Sequence, residues 1–278
     1  YPMAESAFQT QYRQEYIAGY EQGESLVRQT VTTEIEIKGN SAVFQVADSG
    51  SATAVTRGLN GLIPARSDNL AQVTATLVEW HDLSRKTAFN IFASQGAGRA
   101  IMQAMTRKVM NRKVDSDIIT ELNTATQDTG AVQTASLALA MYGLTILGNN
   151  AVPLDGNVSA LITPAFYAYL MQTKEFTSVD YVNNKPFEGK LTMFRWANVN
   201  WIVHPNLPGK GTAAEKCFMY HKDAIGHAVN TGGIQAVVGY DEEQDYSFSR
   251  TTAYMGSKVL QNSGIVVLNH DGSGFAAQ

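Results

Sequence analysis

Residues 32–46, TTEIEIKGNSAVFQV, alternate apolar and polar side chains on both sides of Gly39-Asn40. Alternation with period two marks strands that bury one face, and a Gly-Asn pair tolerates the positive φ of a two-residue hairpin turn. Pairing Lys38 with Ser41 sets Ile35 opposite Phe44, Ile37 opposite Ala42 and Thr33 opposite Val46. Glu34, Glu36 and Lys38 then share the other face. An isolated two-stranded hairpin is marginal in water, so this one is expected to lie on something else, such as a neighbouring subunit. The stretch that follows it, ADSGSATAVTRG, reads as small, polar and weakly structured.

The rest of the chain divides around this feature. Before it, Tyr12, Tyr16 and Tyr20 repeat every four residues, which in a helix places three rings on one face. That face suits either packing on its own domain or an arm that needs a surface outside it. After it, VTATLVEW and TAFNIFA read as strands between Ala71 and Ala93. A helix of about thirty residues then starts from Ser94 as N-cap. Ile101, Met105 and Val109 share one of its faces and Ile118 and Leu122 another, so it bends near Asn111–Asp115 or changes partners along its length. A second helix is expected over about 131–147, ending at Gly148-Asn149-Asn150. NVSALI reads as a buried strand, Thr163-Pro164 as a helix start, and KLTMFRW, VNWIVHP and EKCFMYH as strands. YSFSRTTAYMGSKVL and GIVVLNH close the chain as strands after an acidic loop at 241–245. This order predicts an α+β fold whose sheet is completed by the C-terminus around an inserted unit.

Few function classes survive inspection. A formal charge of −4 argues against a dedicated nucleic-acid reader. The single cysteine, Cys217, allows no internal disulfide and fits a reducing compartment. The longest apolar run, 135–148, falls short of the ~20 residues of a membrane span. Nothing after Tyr1 reads as a secretory leader, and the Asn157 sequon reads as chance. His221, Lys222, Asp223 and His227 crowd into seven residues. Histidines six apart point to nearly opposite sides of a helix and lie ~20 Å apart on a strand, so they close no metal chelate. Asp223 reads as the start of a short helix, Ala224–Val229. His81-Asp82 lacks a nucleophile turn, and His204 and His270 read as strand ends. Gly96-Ala97-Gly98 resembles a phosphate-cradling turn but lacks the third glycine of the dinucleotide fingerprint, Ile101 standing there. PGKGT at 208–212 lacks the earlier glycine of a P-loop. No catalytic residue, metal or cofactor is expected.

SQGAGRAIMQAMTRKVMNRKVDSDIITELNTA, with its Arg112…Asp115…Ile118-Ile119…Leu122 spacing, resembles the spine-helix segment of tailed-bacteriophage major capsid proteins. MYHKDAIGHAV, YDEEQD and YMGSKVLQNSGIVVLNHDG look like the closing part of the same family. The resemblance covers nearly the whole chain and implies the Hong Kong 97-type fold. It implies an N-terminal arm (1–30), an E-loop hairpin (31–60), a peripheral domain with the spine helix at about 94–125 (61–130), an axial domain (131–235) and C-terminal strands completing the peripheral domain (236–278). It implies hexamers and pentamers of an icosahedral shell, assembled in a bacterial cytoplasm around double-stranded DNA. Scaffolding and portal proteins would be partners, and the membrane would not. Ile35, Ile37, Phe44, Tyr12, Tyr16 and Tyr20 are the expected contacts between subunits, and Arg107, Lys108 and Arg112 the expected DNA-facing cations. An encapsulin-type nanocompartment, or a nucleotide-binding enzyme using the Gly96-Ala97-Gly98 turn, is the alternative. Some relatives crosslink a hairpin lysine to a neighbour's asparagine. Lys38 lies near the expected tip, but no motif marks the acceptor asparagine or a catalytic glutamate.

Overall fold

The computed structural model describes residues 21–49, 52–66, 69–93, 98–177, 193–230 and 232–275. In chain order the strands and helices begin with β1 (Thr32–Ile37), β2 (Ser41–Asp48), β3 (Asn69–Thr76) and β4 (Val78–Thr87). Then come α1 (Ala88–Ala93), the long α2 (Gly98–Leu122), α3 (Leu137–Asn149), β5 (Val158–Ile162), α4 (Pro164–Leu170) and the short α5 (Lys174–Thr177). The remainder is strands: β6 (Met193–Trp196), β7 (Val199–Val203), β8 (Glu215–His221), β9 (Ile225–Asn230), β10 (Gln235–Asp241), β11 (Tyr246–Val259) and β12 (Ile265–His270).

Two five-stranded sheets organise these elements. The first runs β1-β9-β11-β10, with β4 paired to β11, and the second runs β12-β8-β5-β7-β6. α2 covers one face of the first sheet, where Ser247, Ser249, Thr251 and Ala253 of β11 are all buried. Small side chains there let the helix approach closely, and Thr106 meets Ser249 Oγ at 3.2 Å. The second sheet is mostly apolar, with Ser159, Glu215, His221 and His270 as its buried polar residues. Every residue of β5 is buried, as expected of a central strand, and Trp201 stacks with Phe166 and Phe194 in its aromatic layer. Met110, Val114, Ile118, Ile119 and Leu122 of α2 join one buried core that takes in residues of both sheets, and Met102 is buried nearer the start of the helix.

Several local expectations change. The 38–41 hairpin does not form: β1 pairs in parallel with β9, and β2 pairs with β3 in a separate two-stranded ribbon. A two-residue hairpin of this type needs positive φ at both central residues. Here Gly39 has it (φ 128) and Asn40 is not among the positive-φ residues, while Glu36 (φ 77) breaks β1 before the turn. TAFNIFA is helix α1, started by Thr87, whose Oγ1 accepts from Asn90 N at 3.3 Å. The helix expected at 131–147 starts later, capped by Ser136, because 127–133 is held extended against β12. Ala224–Val229 is no helix; it becomes a 3-10 turn and the fully flanked strand β9, bonded to β1 and β11. The closing strands divide: β10 and β11 enter the first sheet and β12 pairs with β8 in the second. Ser94, the expected cap of α2, lies outside the described residues.

Candidate assembly surface

The loop that joins β2 to β3 holds the longest exposed run of the described residues. The two strands pair from Ser41–Thr76 at the base to Asp48–Asn69. Beyond them residues 52–66 are exposed without exception, turning at Gly58–Gly61 where Gly61 N donates to Gly58 O at 2.8 Å. Apolar side chains are carried into solvent there: Val55, Leu59, Leu62 and Ile63, with Leu59 fully exposed. Burying one such side chain is worth about 1.5–3 kcal/mol, so a loop holding four of them outward is a surface awaiting a cover. The sequence reading missed these residues because it weighed 47–58 as a polar stretch; the signal was the LNGLI pattern just after it.

The expected contact residues part company. Phe44 is buried within its own chain, with Ala42, Ala75 and Ala228, and its ring fills the space a side chain on Gly226 would need. Ile37 is half-buried at the same place, and only Ile35, at 60 %, is exposed. Lys38 lies at the base of the ribbon, where Leu77 N donates to Asn40 O at 2.8 Å, far from the tip. Tyr12, Tyr16 and Tyr20 fall outside the described residues, as do Gly96 and Ala97. Of the expected cations, Arg107 is exposed, while Lys108 (3.3 Å) and Arg112 (2.8 Å) both pair with Glu21.

The histidines are structural fastenings. His204 Nδ1 accepts from Asn206 N at 3.1 Å, which leaves Nε2–H to donate to Asp115 Oδ2 at 3.3 Å. His221 repeats the device at the end of β8, accepting from Asp223 N at 3.2 Å and facing Asp155 at 3.4 Å. The ring is therefore the cap; Asp223 itself accepts from Thr32 Oγ1 at 3.1 Å. His227 lies on the other sheet, fully buried, and donates to Ser257 Oγ at 2.9 Å, which in turn donates to Asp117 at 2.7 Å. Burial, with the Arg28 cation adding to it, pushes His227 down to about 4. His270 donates to Gln133 O at 3.2 Å, and burial lowers it too. His81, exposed, meets Glu79 at 2.8 Å and Thr252 at 2.9 Å. Among the described residues no three His, Cys, Asp or Glu side chains converge as metal ligands. Burial raises the Cys217 thiol to about 12, which leaves it inert.

Asp115 joins the parts. Its carboxylate, 1 % exposed, accepts from Ser25 Oγ at 2.5 Å, Leu26 N at 3.0 Å and Val27 N at 3.3 Å, as well as from Gln22 and His204. Burial pushes it upward, but the bonds from His204, Ser25 and Leu26 outweigh that and hold it below the usual carboxylate range. One side chain of α2 thus fastens the segment before β1 and the end of β7.

An exposed apolar ribbon beside a firmly fastened body suits a subunit built to be tiled. Residues 4–272 match the model of a phage capsid protein family. The chain belongs to that family. As a phage capsid protein it is a structural subunit, and its two sheets, spine-like α2 and ribbon form the Hong Kong 97-type fold. A protein of Mycobacterium phage Che8 is similar over 97 % of this chain and 98 % of its own, with TM-score 0.74 and 15 % identity. The capsid structure of cyanophage P-SCSP1u matches with TM-score 0.73 and 12 % identity, over 95 % of this chain and 93 % of that one. The capsid of a native GTA particle matches with TM-score 0.71 and 11 % identity, over 96 % and 97 %. No curated protein sequence matches this capsid protein significantly.

Proposed function

We propose that this capsid protein is the major shell subunit of a tailed phage, forming pentamers and hexamers that enclose double-stranded DNA. The ribbon 41–76 acts as the E-loop and lies across an adjacent subunit. The sheet of β1, β9, β11, β10 and β4 with α2 acts as the peripheral domain, and the sheet of β12, β8, β5, β7 and β6 as the axial domain. The carrying observation is the exposure of Val55, Leu59, Leu62 and Ile63 at the end of a paired ribbon. Many modest contacts of this kind, repeated over a lattice, hold a shell that no single contact could.

Arg107, the exposed cation of the three, is the residue offered to packaged DNA; Lys108 and Arg112 share the Glu21 carboxylate, which offsets part of their charge. Assembly would take place in the bacterial cytoplasm with scaffolding and portal proteins, and the chain would turn over no substrate. Expression of the chain alone, followed by sedimentation and negative-stain microscopy, tests the reading. Shells or free capsomers are expected. A monodisperse monomer at high concentration, or nucleotide hydrolysis proportional to protein, would contradict it.

A further inference from the structure

A groove of about 420 Å³ runs beside β2, bounded by β1 and by the turns at Asp223 and Leu260–Gln261. β1 is bonded only to β9, and β2 only to β3, among the described strands. No residue of β9 or β3 lines the groove, so it lies on the open side of both strands, where each has a row of backbone groups without a strand partner. Ile37, Val43, Phe44 and Leu260 make its lining apolar, with Val43 exposed. Its charges are those of Glu34 and Asp223, and no lysine or arginine lines it. Thr32 ties the two acids to one wall. It stands two residues from Glu34 on β1, and its Oγ1 donates to Asp223 at 3.1 Å.

We propose that this groove receives the loop 52–66 of a second copy of the chain, with Arg57 of that copy against Glu34 and Asp223. The assignment rests on the ribbon contacting a neighbour, as proposed above, and adds the neighbour's receiving surface. The charges are complementary: the loop holds Arg57 and Arg66 and no acid, the groove two acids and no cation. Apolar surface is available on both sides, from Val55, Leu59, Leu62 and Ile63 of the loop and from the groove's lining. The limb from Ala52 to Arg57 lies in no helix or strand, and its small and β-branched side chains suit a strand added to an open edge. The chain's own loop does not fill the groove, since every residue of 52–66 is exposed. Loop and groove are different surfaces of one molecule, so the contact runs head to tail. Contacts of that kind close rings when the rotation allows, which is the symmetry that pentamers and hexamers require.

Arg57→Cys and Glu34→Cys in one chain, treated with a short bis-maleimide after assembly, test this, with Cys217 buried out of reach. A denaturing gel should show a ladder of linked chains that ends at pentamer and hexamer, and either single variant should show none. Particles in normal yield without a ladder would overturn the groove as the receiving surface while leaving the ribbon between subunits. Links confined to single chains would overturn both. As a second test, Arg57→Glu and Glu34→Arg, both at exposed positions, should each cut particle yield about tenfold, because like charges then face one another. Combined in one chain, they should restore most of it. Unchanged yield in the single variants, or a combined variant no better than either, overturns the proposal equally.

Discussion

His227 and Asp115 make the chain's stability depend on pH, in the same direction. With His227 held at about 4 against an ordinary value of 6.5, the unfolded chain binds a proton between those pH values that the folded chain refuses. Stability therefore falls as pH drops through that window, by up to about 3 kcal/mol from this group. Equilibrium urea unfolding of unassembled protein should show the decline, and His227→Gln should flatten it. Asp115 contributes in the opposite chemical sense with the same outcome. Its carboxyl is held low, so its contribution is complete above the ordinary carboxylate pKa and is lost as pH falls below it. Asp115→Ala leaves two backbone amides, a serine and His204 without their acceptor. We expect a loss of about 3–5 kcal/mol, by analogy with breaking a buried pair, and faster proteolysis near Ser25. A loss under about 1 kcal/mol would show that Asp115 is not the fastening described.

Among the elements, the β2–β3 ribbon carries the sharpest contrast. Phe44 at its base is committed to its own chain, so Phe44→Ala should cost about 3–5 kcal/mol in the unassembled protein. Leu59 and Leu62 at its end touch solvent, so replacing both with serine should leave unfolding unchanged and cut shell yield sharply. The reverse pattern in urea unfolding and particle counts would mean that base and tip had been misassigned. What could be read from sequence follows the distance over which each element is decided. Thr163 caps α4 through a bond from Phe166 N at 3.1 Å, three residues away, and that start was legible. So was α2, whose pattern is its own. The partner of β2 begins at Asn69, beyond a loop whose composition says nothing of pairing, and β1 pairs with β9 nearly two hundred residues on. Alternation around Gly39-Asn40 marked two true strands but could not say that each would find a better partner elsewhere. The LNGLI pattern marked apolar residues in the loop, but only the fold shows that none of the described residues covers Val55, Leu59, Leu62 and Ile63.

As a whole, the molecule is two sheets fastened through α2, with a ribbon extended from the first. The fastening and the extension answer opposite needs. A subunit that must take many lattice positions keeps its body fixed through Asp115, His204 and the aromatic layer around Trp201. On the proposed reading, its contact surface lies on the two-stranded ribbon, an element that is marginal unless it packs against something further. A density map of assembled particles, at a resolution that traces the chain, tests this most directly. It should show the ribbon 41–76 leaving its own subunit and Leu59, Leu62 and Ile63 buried against the next one. A ribbon folded back on its own sheets, or Leu59 and Leu62 still facing solvent in a closed shell, would contradict the account.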